Sequence, residues 1–441
     1  MSEDRISVLI YLPDSLEPTL AGCHIRDHGQ GENIFFYFKE YLVNPAAISI
    51  DPVNFPLSQG PKIKACTKGN RWLIGVFQDS TQDFWGQILM ARCFGGSIEN
   101  PLPEDLLRRG GSQRTGNLDF HKPDSHHQIE PLGLPRIGDL EDLIQTARSI
   151  ENHETRIPRP NSMLKLQRTS LGGARPKTLI EDERGMWLAK LPSQTDTGFW
   201  NNARMEMAIM SLAGKCGIEI PEMDIVPTNE GDVLLLKRFD RIKTERGFSR
   251  MGFLSCLSVL EGLKDRKHAY SYLDFADSLR IHFPNDWSAS EGAKLFRRMV
   301  FNILVRNTDD HAKNHGILYN GKRMSLSPAY DIVPDFCLKE QSGTFNQSMA
   351  VGPNGKRATW DNVLAGAPHF GLTREGAAHI IREMAGTTAD WREHLISHGV
   401  TEREMSFVEG SLDSNLHQEA KNLGAERKTE ERQTGPQKWK K

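Results

Sequence analysis

The sequence predicts an α+β protein, with strands concentrated in its first 245 residues and helices after them. Two observations support this class. Short runs of β-branched and aromatic residues, bounded by Gly, Pro, Asn or Asp, recur in the first part. Apolar residues at a spacing near 3.6 dominate the second part, as expected of amphipathic helices. A chain of 441 residues is also too long for one ordinary core, so we expect two or three domains.

The first 120 residues predict a small sheet-containing domain. Its first strand is the run I-S-V-L-I-Y-L at residues 6–12, and one helix is expected at residues 83–94. Further strands are expected at residues 34–38, 47–50 and 72–77. These short strands and one helix fit an α/β subdomain.

A polar linker is expected over residues 121–160, with an amphipathic helix at 138–151. His121, His126 and His127 could suggest a metal site. They have neither cysteines nor regular spacing beside them, so a solvated linker fits them better.

A glycine-bearing loop follows, T-S-L-G-G-A-R-P-K at residues 169–177, between strand-like runs at 163–167 and 178–180. Gly172 and Gly173 would let backbone amides approach phosphate oxygens closely. Most glycine pairs only reverse the chain, so the loop by itself is a weak sign of a phosphate site.

Lys190 interrupts the apolar strand W-L-A-K-L-P at residues 187–192. A lysine on a buried strand needs an anionic partner, either a phosphate or a carboxylate. Glu206, on a helix predicted over residues 202–213, could supply that carboxylate. Alternatively, Lys190 lies on the solvent side of an edge strand, and Glu206 forms a surface salt bridge with a neighbouring basic residue.

The strand G-D-V-L-L-L-K-R-F-D-R at residues 231–241 closes the part of the chain that is rich in strands. The helices expected after it cover residues 253–261, 270–283, 290–305, 371–384 and 387–398. Residues 418–441 carry seven basic and four acidic residues with few apolar anchors, which predicts a disordered, mildly basic tail.

Composition excludes several classes of protein. The net charge of -2 argues against a protein whose whole surface binds nucleic acid. Six scattered cysteines without a C-x-x-C pair are typical of free thiols in a reducing cytosol. The chain begins M-S-E-D-R, and it contains no apolar run of membrane-spanning length. We therefore expect a cytoplasmic protein that is neither secreted nor inserted in a membrane.

The most informative stretch covers residues 306–335. Asp309 is followed five positions later by Asn314, the D-x-x-x-x-N spacing of the protein-kinase catalytic loop, and Asp331 follows about where a metal-binding Asp would stand. A kinase needs one carboxylate to orient the acceptor hydroxyl, and an amide and a second carboxylate as oxygen ligands for magnesium.

Two other interpretations of this stretch remain open. Asp and Asn are also common turn and cap residues. His311 and His315 would share a face if residues 311–315 were helical, and could then bind a metal, although a third ligand and the H-E-x-x-H context are missing.

These motifs, in this order and at these intervals, resemble the HipA-like serine/threonine kinases, the toxins of bacterial toxin–antitoxin modules. The resemblance covers most of the chain, including its N-terminal part. It rests on residues 83–86 (D-F-W-G), 114–120 (R-T-G-N-L-D-F), 169–177, 187–192, 236–241, 307–314 and 330–334.

The resemblance implies a two-lobed protein-kinase-like fold, with a small β-rich N-lobe, a helical C-lobe and an extra N-terminal α/β subdomain. The expected parts are the N-terminal subdomain at 1–120, the linker and helix at 121–160, the N-lobe with its phosphate loop at 161–245, the helical catalytic lobe at 246–417 and the tail at 418–441.

The same resemblance implies a role for each matched residue. Asp309 would be the catalytic base, Asn314 and Asp331 the magnesium ligands, and Glu206 the partner of Lys190. Ser170 matches a serine that such kinases phosphorylate in trans, which expels the loop because the added charge repels ATP. The expected ATP contacts are Gly172, Gly173, Ala174, Arg175, Lys177, Lys190, Lys237, Arg238, Phe239, His311, Lys313 and Tyr330.

The sequence departs from the known patterns at several positions. Asn307 stands where the protein-kinase H-R-D motif has His, and the glycine loop is not G-x-G-x-x-G. Arg175 and Pro176 stand where the loop of HipA-like kinases often carries Gln and Glu. The chain has no helix-turn-helix pattern of its own, so contact with DNA would come through a partner.

The expected function is therefore that of a serine/threonine protein kinase that uses ATP and Mg²⁺ and acts as a toxin. By family analogy its substrate would be a translation factor such as an aminoacyl-tRNA synthetase, and its partner a small helix-turn-helix antitoxin. Two alternatives remain, a small-molecule kinase of the same fold and a catalytically silent corepressor.

Overall fold

The computed structural model describes residues 3–27, 32–65, 73–95, 103–122, 133–154, 160–167, 173, 175–194, 196, 200–262, 270–337 and 343–423. The chain forms two compact units. The first unit comprises Met1–Met207, Pro221–Lys264 and His315–Pro328, and the second comprises Ala208–Ile220, Asp265–Asn314 and Ala329–Lys441. The domain boundaries expected from the sequence remain predictions.

The first unit begins with an antiparallel sheet in the order β4-β3-β2-β1-β5. Its strands are β1 (Glu3–Tyr11), β2 (Pro18–Asp27), β3 (Glu32–Tyr37), β4 (Lys62–Ala65) and β5 (Leu118–His121). The helices in the same part of the chain are α1 (Lys39–Leu42), α2 (Gly75–Asp79), α3 (Phe84–Phe94) and α4 (Pro103–Arg109). The predictions of β1, β3 and α3 are confirmed.

Two strands expected in this region are wrong. Residues 47–50 form no strand, because the hydroxyl of Tyr41 donates to Ile48 O and accepts from Ile48 N, at 2.7 and 3.1 Å. A side chain thus satisfies the backbone groups that a strand would pair. The run expected at 72–77 is α2 from Gly75 onward, and Trp72 lies outside the described residues. Short apolar runs do not distinguish a strand from a buried helix.

A second sheet follows in the first unit, in the order β6-β7-β9-β8 with antiparallel pairing. Its strands are β6 (Lys177–Asp182), β7 (Gly185–Lys190), β8 (Met223–Thr228) and β9 (Gly231–Lys237). The accompanying helices are α5 (Leu140–Glu151), α6 (Pro160–Gln167) and α7 (Asn202–Lys215). The strand expected at 163–167 is wrong, because these residues end α6 and bury Leu166 with α5.

Side chains alternate between the two faces of this sheet. Val233 and Leu235 of β9 pack with residues of α3, α5 and α6, whereas Leu234 and Leu236 pack with the first turns of α7. The period of two along a strand produces this division. The sheet is therefore covered by helices on both faces, which explains why β9 is continuously apolar.

The first unit also contains a hairpin and a three-stranded antiparallel sheet in the order β12-β13-β14. The hairpin strands are β10 (Arg241–Thr244) and β11 (Gly247–Arg250), and the sheet strands are β12 (Gly252–Ser255), β13 (Gly316–Tyr319) and β14 (Met324–Leu326). The helix expected at 253–261 is wrong in its first part. Residues through Ser255 pair with β13, and α8 (Cys256–Val259) begins after them, capped by the Ser255 hydroxyl.

The second unit is mainly helical. Its helices are α9 (Tyr272–His282), α10 (Ala289–Leu304), α11 (Trp360–Ala365), α12 (Arg374–Thr387), α13 (Trp391–Ser397), α14 (Glu402–Leu412) and α15 (Asn415–Asn422). The four helices expected from 270 to 398 are confirmed, and α11, α14 and α15 were missed. Hydroxyl N-caps at Ser271, Ser288 and Thr373 mark where α9, α10 and α12 begin.

The prediction of a disordered tail at 418–441 is wrong for the first residues of that range. α15 runs to Asn422, and the Trp360 indole donates to Leu416 O at 2.8 Å. Ala420 is fully buried on the same helix. Residues 424–441 lie outside the described part of the chain.

Cys23, Cys93, Cys216, Cys256 and Cys337 are free thiols. None of the helices in the described ranges has the length and apolar character that crossing a bilayer requires.

Candidate functional site

Residues 306–314 follow the end of α10 in a series of turns within the second unit. Asn307 N donates to Asn302 O at 2.8 Å, His311 N to Asp309 O at 2.8 Å, and Asn314 N to His311 O at 2.9 Å. The segment is not helical, so His311 and His315 do not share a helix face. The described residues also contain no group of three or more His, Cys, Asp or Glu able to hold a metal. The helix face on which the alternative of a histidine metal site depended is therefore not formed.

Asp309 and Asn314 are brought together in this segment. The Asp309 side chain is exposed, and the Asn314 side chain is buried. The Asn314 amide nitrogen donates to the backbone oxygen of Asp309 at 3.1 Å. Because the nitrogen is the donor, the amide oxygen is the atom of Asn314 that could bind a cation.

Asp331 lies in the same unit with φ of +61°, in the left-handed region that few residues other than Gly adopt. Its neighbour Tyr330 donates a hydrogen bond to the backbone oxygen of Lys313 at 2.7 Å. Two sequence-predicted residues are thereby placed in contact. A backbone conformation that carries strain is a common feature of functional segments.

Asp335 is a residue that the sequence reasoning did not assign. Its carboxylate accepts from the Thr308 hydroxyl at 2.6 Å and from Thr308 N at 3.3 Å, while Asp335 N donates to Arg306 O at 3.1 Å. Ser348 adds a bond to Thr308 O at 2.8 Å. The segment before Asp309 is therefore tied to residues that are distant in sequence.

In the first unit, Lys190 meets Glu206. Lys190 follows Leu188 on the face of β7 that packs against α7, and its ammonium group donates to Glu206 Oε1 at 2.5 Å. The two side chains are 13% and 2% exposed. A buried carboxylate needs such a partner, because desolvation disfavours an isolated charge.

The glycine loop is described only at Gly173 and from Arg175 onward, so Ser170, Gly172 and Ala174 lie outside the described residues. Gly173 has φ of +104° and its N–H donates to Asp83 Oδ2 at 2.8 Å. Arg175 pairs with Asp196 at 2.6 Å. Both described parts of the loop are thus held by carboxylates.

Lys177 begins β6 and is 4% exposed. Its ammonium group lies too close to Gly173 to leave room for a Cβ at that position. A side chain at position 173 would therefore meet this lysine, in addition to the strain of its positive φ.

Lys237, Arg238 and Phe239 follow one another at the end of β9. The Lys237 ammonium contacts Glu222 Oε2 at 2.6 Å, and the Phe239 ring lies 6.2 Å from that of Phe253. The expected adenine contacts of these residues remain predictions.

The Arg238 side chain is buried and already bound by protein groups. It contacts both oxygens of Asp240, at 2.9 and 2.7 Å, and donates to the backbone oxygens of Gln113 and Arg114 at 3.0 and 2.7 Å. A nucleotide would therefore meet the backbone or the neighbours of Arg238 more readily than its guanidinium group.

Asp240 is the centre of this buried charge network. Burial alone would raise the pKa of Asp240, but the guanidinium groups of Arg238 and Arg241 hold it well below its ordinary value. The Gly116 amide also donates to it at 2.8 Å. The network joins residues 113–116 to the end of β9. No pattern in the sequence suggested it.

Comparison with known proteins identifies the family. The family model for the HipA-like C-terminal domain matches residues 169–391, half of the chain. A protein of Sinorhizobium fredii named "Putative kinase Y4dM" is 31% identical over 35% of this chain, and a "Putative kinase" of Haemophilus influenzae is 25% identical over 38%. These matches span only 38% and 53% of the two relatives.

A solved structure shows the same fold. The HipA chain of Shewanella oneidensis MR-1, from a toxin–antitoxin complex with HipB and operator DNA, aligns with a TM-score of 0.63 at 18% identity. The alignment covers 98% of this chain and 100% of that chain. It confirms the predicted α+β, kinase-like fold class. On the evidence of the matched family model and this fold, the chain belongs to the HipA-like C-terminal domain family.

Proposed function

We propose that this protein is a kinase that transfers the γ-phosphoryl group of ATP to a serine or threonine of a cytosolic protein. The observation that carries the proposal is the geometry of residues 306–314. Asp309 is exposed, and its backbone oxygen accepts a hydrogen bond from the Asn314 amide nitrogen. The relatives named as kinases in two organisms support the same class of reaction.

Asp309 would accept the hydrogen bond of the acceptor hydroxyl and orient it for attack. An exposed carboxylate suits this role because the hydroxyl must reach it from outside. Lys190, fixed by Glu206 at 2.5 Å, would contact the phosphates of ATP, as would His311 and Lys313. Residues 172–177 would cover the phosphates, and residues 237–239 with Tyr330 would lie near the nucleotide.

Asn314 and Asp331 would hold Mg²⁺, and their oxygen atoms fit this ion. Magnesium is usually bound by one or two protein side chains together with substrate phosphates and water, so two protein ligands suffice. Bound Mg²⁺ would neutralise charge on the phosphates. Two observations support these roles: the Asn314 amide nitrogen is bound to Asp309 O, which leaves its oxygen for a cation, and Asp331 has a left-handed backbone conformation.

Autophosphorylation at Ser170 is part of the proposal. About two negative charges beside the triphosphate would repel ATP and disfavour the seated loop. The carboxylates of Asp83 and Asp196, which already bind Gly173 and Arg175, would add to that repulsion.

A toxin role, a small DNA-binding antitoxin partner and an aminoacyl-tRNA synthetase as substrate are proposed by analogy. The related HipA chain occurs in a complex with HipB and operator DNA, which supports the antitoxin partner. DNA contact would then be indirect.

A labelling experiment tests the substrate class. Purified protein with labelled ATP and Mg²⁺ is added to a cytosolic extract, and protein and small-molecule fractions are counted separately. We expect label in protein on Ser or Thr, and none with Asp309→Asn. Asp361→Asn is the matched control, because the Asp361 side chain is 94% exposed on α11.

Label in metabolites alone would replace the proposal with a small-molecule kinase. Equal labelling by the wild type and Asp309→Asn would remove Asp309 from the reaction. No labelling at all, with an antitoxin complex still formed, would favour a silent corepressor.

A further inference from the structure

Asp309 lies between two polar side chains that point into the protein. Asn307 is 3% exposed and Asp310 is 1% exposed, whereas Asp309 is exposed. Neither buried residue has a role in the proposed chemistry. Burying a polar side chain destabilises the fold unless the side chain is hydrogen-bonded, so the partners of these two residues show what holds them in place.

Asp310 is bound by Tyr272. The Tyr272 hydroxyl donates to Asp310 Oδ2, and Tyr272 itself is fully buried at the first turn of α9. Burial and the Asp310 carboxyl raise the pKa of Tyr272 well above its ordinary value, so the hydroxyl is a donor at neutral pH. This contact joins α9 to the residue after Asp309, across 38 positions of sequence.

Asn302 connects Tyr272 to Asn307. Its amide nitrogen donates to the Tyr272 hydroxyl at 3.3 Å, and its amide oxygen accepts from the Asn307 side chain at 3.1 Å. Asn302 O also accepts from Asn307 N at 2.8 Å. One residue of α10 thus binds Asn307 twice and Tyr272 once.

Arg298 lies one turn before Asn302 on α10 and is 3% exposed. Burial lowers the pKa of Arg298, and the nearby Tyr272, Tyr330 and Asp310 oppose that shift. A positive charge is therefore close to Asp310. This explains how a carboxyl group so completely buried is tolerated beside α10.

The contacts form a continuous chain from Asn307 through Asn302 and Tyr272 to Asp310. It fixes the residues on both sides of the exposed Asp309, and the catalytic loop carries Asn307 where protein kinases have a supporting His. We propose that Tyr272, Asn302, Asn307 and Asp310 are positioning residues that hold Asp309 facing outward for phosphoryl transfer. The inference rests on the proposed function.

Tyr272→Phe is the decisive variant, because it removes one hydroxyl and keeps the ring. We expect kcat to fall roughly 10- to 100-fold, since small displacements of a catalytic group have effects of this size. KM for ATP should stay within about twofold, because a displacement of Asp309 alone leaves the nucleotide contacts in place. Asn307→Ala, at the other end of the chain of contacts, should likewise lower kcat and leave KM for ATP nearly unchanged.

Tyr319→Phe is the matched control. The Tyr319 hydroxyl is equally buried and bonds to Ile50 O in the first unit. It should lower the melting temperature about as much as Tyr272→Phe does, with kcat unchanged. Equal loss of kcat in the two variants would overturn the inference, because general destabilisation would then explain both.

Hydrogen exchange supplies a measurement that does not depend on activity. In Tyr272→Phe, amides of residues 305–315 should exchange faster, including His311 N and Asn314 N, while those of α12 stay unchanged. An inactive wild-type protein would contradict the proposed function. Amide exchange at residues 305–315 that is the same in Tyr272→Phe and the wild type would overturn the positioning network, whether or not the wild type is active.

Discussion

Lys190 and Glu206 show how strand alternation determines the environment of one charged residue. Trp187 and Ala189 of β7 face the core shared with α5, so Lys190 must face α7. There its Nζ lies 2.5 Å from Oε1 of Glu206. The sequence could suggest that Lys190 needs an anionic partner. It could not show that Glu206 is such a partner, because that depends on which face of α7 meets the sheet.

The buried pair predicts a difference in stability. Glu206→Gln should lower the free energy of unfolding by about 1–3 kcal/mol, because it removes the charge of the Glu206 carboxylate beside the largely buried Lys190 ammonium group. The measurement is urea denaturation followed by circular dichroism.

Glu222→Gln is the control for that prediction. Glu222 pairs with Lys237 at 2.6 Å, but these side chains are 49% and 37% exposed. Exposed pairs contribute little, so the change should be below about 0.5 kcal/mol. If the two variants lose the same free energy of unfolding, burial does not strengthen the Lys190–Glu206 pair.

α3 shows how one element positions another. Its N-cap residue, Asp83, makes no capping bond to its own helix and instead accepts the Gly173 N–H at 2.8 Å. The start of α3 therefore holds the described part of the glycine loop. D-F-W-G before a helix was visible in the sequence, but its contact with a residue 90 positions later was not.

Asp83→Ala should weaken ATP binding because it releases Gly173. We expect KM for ATP to rise roughly threefold to tenfold, the equivalent of one hydrogen bond, with kcat little changed. Kinetic assays at varied ATP concentration provide the measurement.

Thr401→Ala is the comparison for Asp83→Ala, because Thr401 caps α14 through Glu404 N. It should lower stability by about 1 kcal/mol and leave KM unchanged. A normal KM in Asp83→Ala would show that the loop does not depend on α3.

At the scale of the whole molecule, two buried histidines should make stability depend on pH. Burial lowers the pKa of His417 to about 4, and burial likewise lowers that of His394 to about 4. His417 contacts the Thr388 hydroxyl at 2.6 Å. The unfolded chain, with an ordinary histidine pKa near 6.5, binds protons more readily than the folded chain over this range.

The free energy of unfolding of the second unit should therefore be highest above about pH 6.5 and should decrease as the pH falls toward 4. The His417 contribution would reach up to about 3 kcal/mol. His417→Leu should reduce the slope between pH 7 and 4 in thermal melts. The same slope in this variant and the wild type would assign the pH dependence to other groups.

Elements with strong periodicity could be predicted from the sequence, whereas several others could not. β1, β3, α3, α5, α7, α9 and α10 follow from alternation or helical spacing. Residues 47–50 look like a strand, but hydroxyl contacts from Tyr41 hold them in another conformation. Residues 253–255 look helical and pair as a strand with β13. A side chain seven positions away decided the first case, and a strand more than 60 positions away decided the second.

The candidate site could be predicted only where its residues are close in sequence. The spacing of Asp309 and Asn314 placed both in one segment, and the structure brings them together. The roles assigned to these residues remain predictions. Tyr272 and Asn302 could not be selected from the sequence, because they lie on helices whose aromatic and amide residues resemble ordinary core residues. Their proposed role follows from the contact of Asn302 with Asn307 and the contact of Tyr272 with Asp310.

The proposed phosphoryl transfer depends on Asp309. The most direct measurement is mass spectrometry of the purified protein after incubation with ATP and Mg²⁺, beside Asp309→Asn and Ser170→Ala. We predict phosphate on Ser170 in the wild type and none in Asp309→Asn. An unmodified wild-type chain that still binds ATP, or the same phosphate in Asp309→Asn, would show that Asp309 does not carry out this transfer.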